Sequence, residues 1–294
     1  NKRVVLDMAK DYIEKLKKRF EELKLRKCKG LPYKRINGQN IFVDDFDRKI
    51  IKPLLFAVHK IQHAGNTYEI GQHGFARDMN FKLTYKEDKG AVYWLESTPD
   101  TLGKFPFPFR LLVGYLLEEN KITVKWRVEN LGAMDMYFQI GAHPAFYFPK
   151  FDAATKDRGF FVFDRKSDLE YIMPIEKGCV SPERHVLKLN KEGLMPIDIH
   201  TFDCDTYIFD NKQLKKITLL DKKKKPHISL EFNSPLVALW SPTKTHPDCP
   251  FVCIEPWYGR CDSVGYSGEL KDREWIQKLE PKETFDVEYK IIIE

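Results

Sequence analysis

Two histidines and one glutamate carry side chains suited to proton transfer, each in a distinctive setting. They are His73 in Gln72-His73-Gly74-Phe75-Ala76-Arg77, His143 in Gly141-Ala142-His143-Pro144-Ala145-Phe146, and Glu255 in Cys253-Ile254-Glu255-Pro256-Trp257-Tyr258. A proton donor, a proton acceptor and an aromatic wall form a minimal set for acid/base chemistry on a sugar. Imidazole titrates close to neutral pH. A carboxylate between Phe251-Val252-Cys253-Ile254 and Pro256-Trp257 is expensive to bury without a purpose. Each has a plainer reading. His143 alone describes a histidine that ends a strand with its nitrogens satisfied by backbone, and Glu255 alone also fits one half of a buried ion pair.

Residues so far apart in sequence must be gathered by the fold, and the sequence patterning indicates which elements do so. From about residue 60 onward the apolar period is two. In Lys121-Ile122-Thr123-Val124-Lys125-Trp126-Arg127-Val128-Glu129 apolar and polar side chains alternate, as on a strand with one buried face. Ile228, Leu230 and Phe232 repeat the pattern, as do Phe285, Val287, Tyr289 and Ile291. Turn signals at Lys89-Gly90, Glu119-Asn120, Asn130-Leu131-Gly132 and Asp210-Asn211 separate these runs. The pattern predicts a mainly β, antiparallel protein. Periodicity weakens over 150–200, which is expected to form excursions and short strands. No internal repeat and no long Gly/Ser/Pro linker interrupts the chain, so residues 1–294 are taken as a single domain. Its first thirty residues differ: Ala9, Tyr12, Ile13, Leu16, Phe20 and Leu23 recur at helical spacing and stop at Gly30-Leu31-Pro32, predicting one amphipathic helix.

Composition excludes several classes. Hydrophobic residues at 43% of 294 supply a sizeable core and argue against disorder. The formal charge of +6 comes mainly from positions 15–35 and from Lys222-Lys223-Lys224-Lys225, with acidic residues interspersed almost everywhere else; no nucleic-acid groove is expected. Apolar runs are short and charge-broken, so no membrane association is expected, and the chain reads as a soluble cytoplasmic protein. Six scattered cysteines, at 28, 179, 204, 249, 253 and 261, do not form a disulfide framework. Cys249, Cys253 and Cys261 lack the paired Cys-x2-Cys knuckles of a zinc site and read as small buried side chains. The sequence has no P-loop, dinucleotide fingerprint or His-Glu-x-x-His motif, and neither cofactor nor metal is expected.

The His73, His143 and Glu255 motifs occur in an order, with Ile276-Gln277-Lys278-Leu279-Glu280-Pro281 after them, that closely resembles the aldose 1-epimerase (galactose mutarotase) superfamily. More narrowly, the chain is similar to its LacX-like branch, related to hexose-6-phosphate mutarotases through the His-Gly-Phe-Ala-Arg signature. The resemblance covers roughly 54–294 and implies a large antiparallel β-sandwich of the galactose mutarotase type, with the sugar site on a concave sheet face. It implies that His143 is the general acid at the ring oxygen and Glu255 the general base at the C1 hydroxyl. It assigns His73, Arg77, Asp205 and Trp257 to substrate binding, with Asp203 a competitor for the role of Asp205. Phe146 is equally explained as an apolar platform or as core. Residues 1–53 depart from the family, as does Leu55-Phe56-Ala57-Val58-His59; Arg48 is the candidate there for a sugar or phosphate contact. The expected partner is a small-molecule sugar. The functions so implied are anomer interconversion of a free hexose, the same reaction on a hexose 6-phosphate, or carbohydrate binding without turnover.

Overall fold

A computed structural model describes residues 60–71, 73–176 and 178–294. The expected N-terminal helix, Arg48 and the 55–59 segment lie outside them.

The alternating runs form strands, and the turn signals join them. Phe109–Glu118 and Lys121–Asn130 make a long hairpin closed by Glu119-Asn120, where Glu119 takes a left-handed backbone conformation (φ 50°). Val124, Trp126 and Val128 of the second strand are buried, while Lys125 and Arg127 between them are exposed. Each such apolar side chain contributes about 1.5–3 kcal/mol on full burial. The outer face carries the charge: Arg127 pairs with Asp286 at 2.7 Å and Arg110 with Glu96 at 2.8 Å, each to its directly opposite residue on the neighbouring strand. Exposed cross-strand pairs of this kind each add only ~0.2–1 kcal/mol, and act more on register than on stability.

These strands belong to a nine-stranded antiparallel sheet. Its order is Leu194–Asp198, Asp157–Phe163, Lys216–Leu220, Pro226–Phe232, Thr284–Ile293, Lys121–Asn130, Phe109–Glu118, Gly90–Glu96, Lys82–Glu87. The region of weak periodicity does contain short strands, such as Leu169–Tyr171 and His185–Leu187. Two others from that region, Asp157–Phe163 and Leu194–Asp198, are integral to the large sheet.

A second sheet runs Tyr207–Phe209, Leu236–Trp240, Phe251–Tyr258, Ile140–Gly141, with Ala145–Tyr147 also pairing to Phe251–Tyr258. One apolar cluster joins the two sheets. Leu111, Trp126, Phe161, Ile217, Leu230 and Tyr289 from the large sheet meet Phe209, Val237, Leu239, Val252, Ile254 and Tyr258 from the smaller. The opposite face of the smaller sheet carries a separate cluster of Ile172, Val180, Ile208, Leu236, Ala238 and Trp257. A sandwich with one face of its smaller sheet left for other use is the consequence.

The strand that crosses the centre of the smaller sheet ends at a glycine that tolerates no substituent. Gly259 has φ 136°, and a Cβ there would lie 2.4 Å from the Cβ of Gln139. Gly259→Ala is therefore expected to destabilise the protein by ~2–4 kcal/mol, combining backbone strain with overpacking. Chemical denaturation measures this; an unchanged midpoint would contradict the close approach.

Candidate active site

Antiparallel register accounts for the meeting of His143 and Glu255. Along Phe251–Tyr258, Val252, Ile254 and Tyr258 enter the core, so Cys253, Glu255 and Trp257 point to the other face. On one side Trp240 lies opposite Cys253, Ala238 opposite Glu255 and Leu236 opposite Trp257. On the other side Tyr147 faces Phe251, Phe146 faces Val252 and Ala145 faces Cys253. Beyond a gap, Gly141 faces Trp257 and Ile140 faces Tyr258. The same register holds on both sides of the gap, and carried across it sets His143 opposite Glu255. Two backbone hydrogen bonds bracket that position: Ala142 N–H donates to the Pro256 carbonyl at 3.0 Å, and Ile254 N–H to the Pro144 carbonyl at 3.3 Å.

The prolines explain the gap. A residue in an antiparallel ladder directs its N–H and carbonyl to the same neighbour. Since the Pro256 carbonyl accepts from Ala142, its missing N–H also falls on that side, where regular pairing stops. His143 is thereby freed from the ladder without leaving its register.

The resulting geometry is close and partly dry. His143 Nε2 lies 3.3 Å from Glu255 Oε1, with the imidazole 18% exposed and the carboxylate 2%. The ring of Trp240 meets His143 edge-on at 5.6 Å, and that of His73 does so at 6.0 Å. Trp257, buried in the second cluster, donates its indole N–H to the Ala142 carbonyl at 3.3 Å, tying down the residue before His143. Burial holds the Glu255 carboxyl well above the ordinary carboxylate range. The Trp257 indole opposes that shift by favouring the charged form, and the negative field of Asp205 adds to it.

His73 and Asp205 reach the site from turns. His73 (φ 67°) and Gly74 (φ 67°) are consecutive left-handed residues in a turn closed by Gly74 N–H to the Gly71 carbonyl, 2.8 Å. Asp205 (φ 78°) is exposed, and its Oδ1 accepts from Thr206 Oγ1 at 2.7 Å. A non-glycine residue in this region is uncommon, and such strain concentrates at functional positions. Asp203 is engaged elsewhere, 3.0 Å from His200 Nδ1, which leaves Asp205 as the acidic residue of that segment whose charge acts on Glu255.

Arg77 follows His73 in the short helical turn Ala76–Asp78 and makes a loose ion pair with Asp78, Nε to Oδ2 at 3.6 Å. Phe146 faces Val252 on the core side, so its role is packing. Sequence reasoning passed over Trp240 and gave Cys253 no role beyond burial. Leu236-Val237-Ala238-Leu239-Trp240 is apolar throughout, so no alternation of polarity marks the face that Leu236, Ala238 and Trp240 share. Cys249 and Cys253 are buried as expected, and Cys261 only partly so.

The sequence profile of the aldose 1-epimerase family matches residues 56–274. The chain belongs to the aldose 1-epimerase family. It is an enzyme of the isomerase class, and its family implies a small-molecule sugar as substrate. The plasmid-encoded protein LacX of Lactococcus lactis subsp. lactis is 26% identical to this epimerase over 227 residues, 76% of this chain and 75% of LacX. A galactose mutarotase related enzyme from Lactobacillus acidophilus superposes with a TM-score of 0.73 at 25% identity, covering 84% of this chain and 81% of that one. A galactose mutarotase-like protein from Lactobacillus casei gives 0.72 at 25% identity, covering 83% and 84%. Among the described residues, no helix is long and apolar enough to cross a membrane.

The raised pKa of Glu255 has a signed consequence for stability. A carboxyl that keeps its proton to higher pH in the folded than in the unfolded chain supports folding most below the ordinary Glu value of about 4.3, and that support is lost as pH rises toward the folded value. Glu255→Gln, which cannot ionise, should therefore gain stability relative to wild type as pH is raised from about 4 to 8. Paired denaturation curves across that range test it; a constant difference would remove burial as the dominant influence on Glu255.

Proposed function

We propose that this epimerase interconverts the α and β anomers of a hexose such as galactose or glucose, with Glu255 as general base and His143 as general acid. The observation that carries the reading is the 3.3 Å approach of a buried carboxylate to a partly exposed imidazole on one sheet face. A pyranose hemiacetal bears its hydroxyl and its ring oxygen on the same carbon, so two adjacent proton-transfer groups match it. Glu255 takes the proton of the C1 hydroxyl while His143 gives one to the ring oxygen. The C1–O5 bond breaks and the C1–O1 bond becomes a carbonyl. Rotation about C1–C2 presents the other face of that carbonyl, and reclosure returns both protons with the two roles exchanged. Each group contributes on the order of 10²–10⁴ in rate. His73 and Asp205 supply hydrogen bonds to substrate hydroxyls, and Trp257 contributes an apolar surface for the sugar's C–H face.

One feature supports a second substrate class. Arg77 stands beside the His73 turn, about one-third exposed, and its ion pair with Asp78 is long enough to yield to a stronger anion. A hexose 6-phosphate held by Arg77 is that alternative.

Exchange NMR of anomeric protons, run over a panel of aldoses and their 6-phosphates, reports activity and substrate together. His143→Asn and Glu255→Gln are each expected to lower turnover by at least ~10²-fold with the fold intact; wild-type turnover in either folded variant would refute its role. Arg77→Ala should raise KM more than it lowers kcat. A larger penalty for the phosphorylated sugar selects the second class, and equal penalties select the free hexose.

A further inference from the structure

We infer that His143, Cys253 and Glu255 form a three-donor site for a thiophilic divalent cation, zinc, whose binding blocks the reaction. A ring nitrogen of His143, the sulfur of Cys253 and a carboxylate oxygen of Glu255 all lie within 4.8 Å of one another. The fold produces this cluster directly. Cys253 and Glu255 are alternate residues on one face of the Phe251–Tyr258 strand, His143 lies across from Glu255, and the small Ala145 lies across from Cys253. Zinc–ligand bonds of about 2.0–2.3 Å in tetrahedral geometry require donor separations of roughly 3.3–3.6 Å. His143 Nε2 and Glu255 Oε1 already stand 3.3 Å apart, so small side-chain rotations complete the set.

The donors also determine which ion fits. One nitrogen, one sulfur and one oxygen suit zinc and related thiophilic ions, whereas magnesium and calcium require oxygen ligands in greater number. Cys253 and Glu255 are almost fully buried, at 1% and 2% exposed, while His143 remains accessible. The fourth position therefore opens on the side from which a sugar would enter, and water fills it. Binding releases the thiol proton of Cys253 and any proton on Glu255 to solvent. The ion then occupies the lone pairs of the two atoms proposed to move protons, and metal and sugar exclude each other. This inhibitory consequence rests on the proposed roles of His143 and Glu255; the metal site itself does not.

The test uses the full chain, stripped of metal and titrated with cobalt(II) as a spectroscopic probe and then with zinc(II). One cobalt per chain is expected, with a thiolate-to-cobalt charge-transfer band that zinc abolishes. In Cys253→Ser that band should be absent and zinc affinity lower by roughly tenfold or more, while the variant still interconverts anomers in the absence of metal. Zinc should inhibit wild type competitively with sugar and inhibit the variant only at correspondingly higher concentration. A wild-type protein without the band, or a band that persists in Cys253→Ser, overturns the site. Should the variant not fold, zinc K-edge X-ray absorption of the wild-type protein serves instead. One sulfur neighbour at about 2.3 Å with nitrogen or oxygen neighbours at about 2.0–2.1 Å is expected, and a coordination shell without sulfur overturns the proposal. A protein that binds cobalt through Cys253 yet turns over no aldose would refute the proposed function and leave the metal site standing.

Discussion

One strand pairing governs the proposed chemistry: the alignment of Phe251–Tyr258 with a partner strand that is broken in its middle. If the two halves of that partner kept different registers, His143 would move relative to Glu255 and, with a one-residue slip, would turn to the opposite face. The matching register on either side of the break, together with the hydrogen bonds at Ala142 and Pro144, fixes the imidazole beside the carboxylate. Trp257 adds a third constraint through its hydrogen bond to Ala142. The proposed acid and base are thus held by the sheet itself.

The rest of the fold makes that arrangement affordable. A carboxyl buried to 2% exposure opposes folding whenever it is charged, and the compensation comes from elsewhere. The nine-stranded sheet, with its continuous apolar cluster reaching Val252, Ile254 and Tyr258, anchors the inner face of the same strand whose outer face carries Glu255. Stability and chemistry alternate residue by residue along one strand. The same alternation brings Cys253 into line with Glu255.

Much of this was legible in the sequence, for reasons that differ by element. Strands around Val124-Lys125-Trp126 and Leu230 are visible because polar and apolar residues alternate, the polar ones exposed at Lys125 and Arg127 and, at Ser229, buried but hydrogen-bonded to Thr218. Leu236–Trp240 and Phe251–Tyr258 are buried on nearly every residue, and the alternation within them is invisible to a polarity pattern. That is why the sequence pattern does not single out Trp240 and leaves Cys253 as a small buried side chain. His143 and Glu255 stood out by type and context, but their contact depends on a pairing register that no local pattern encodes. Spacing likewise does not distinguish Asp203 from Asp205, whereas the structure puts His200 beside the former. Residues 157–163 and 194–198 lacked clear periodicity because Gly159 and Pro196 interrupt it, although both segments are full members of the large sheet.

The polar groups around the proposed reacting position are supported in two ways. His143 and Glu255 depend on the pairing of whole strands, whereas His73 and Asp205 each stand on a single turn residue with positive φ. Mutation can therefore reshape the rim without disturbing the floor. Under the proposed reaction, a lineage built on this scaffold would be free to drift from one hydroxyl pattern to another, by loop changes alone, while conserving how it opens and closes the ring.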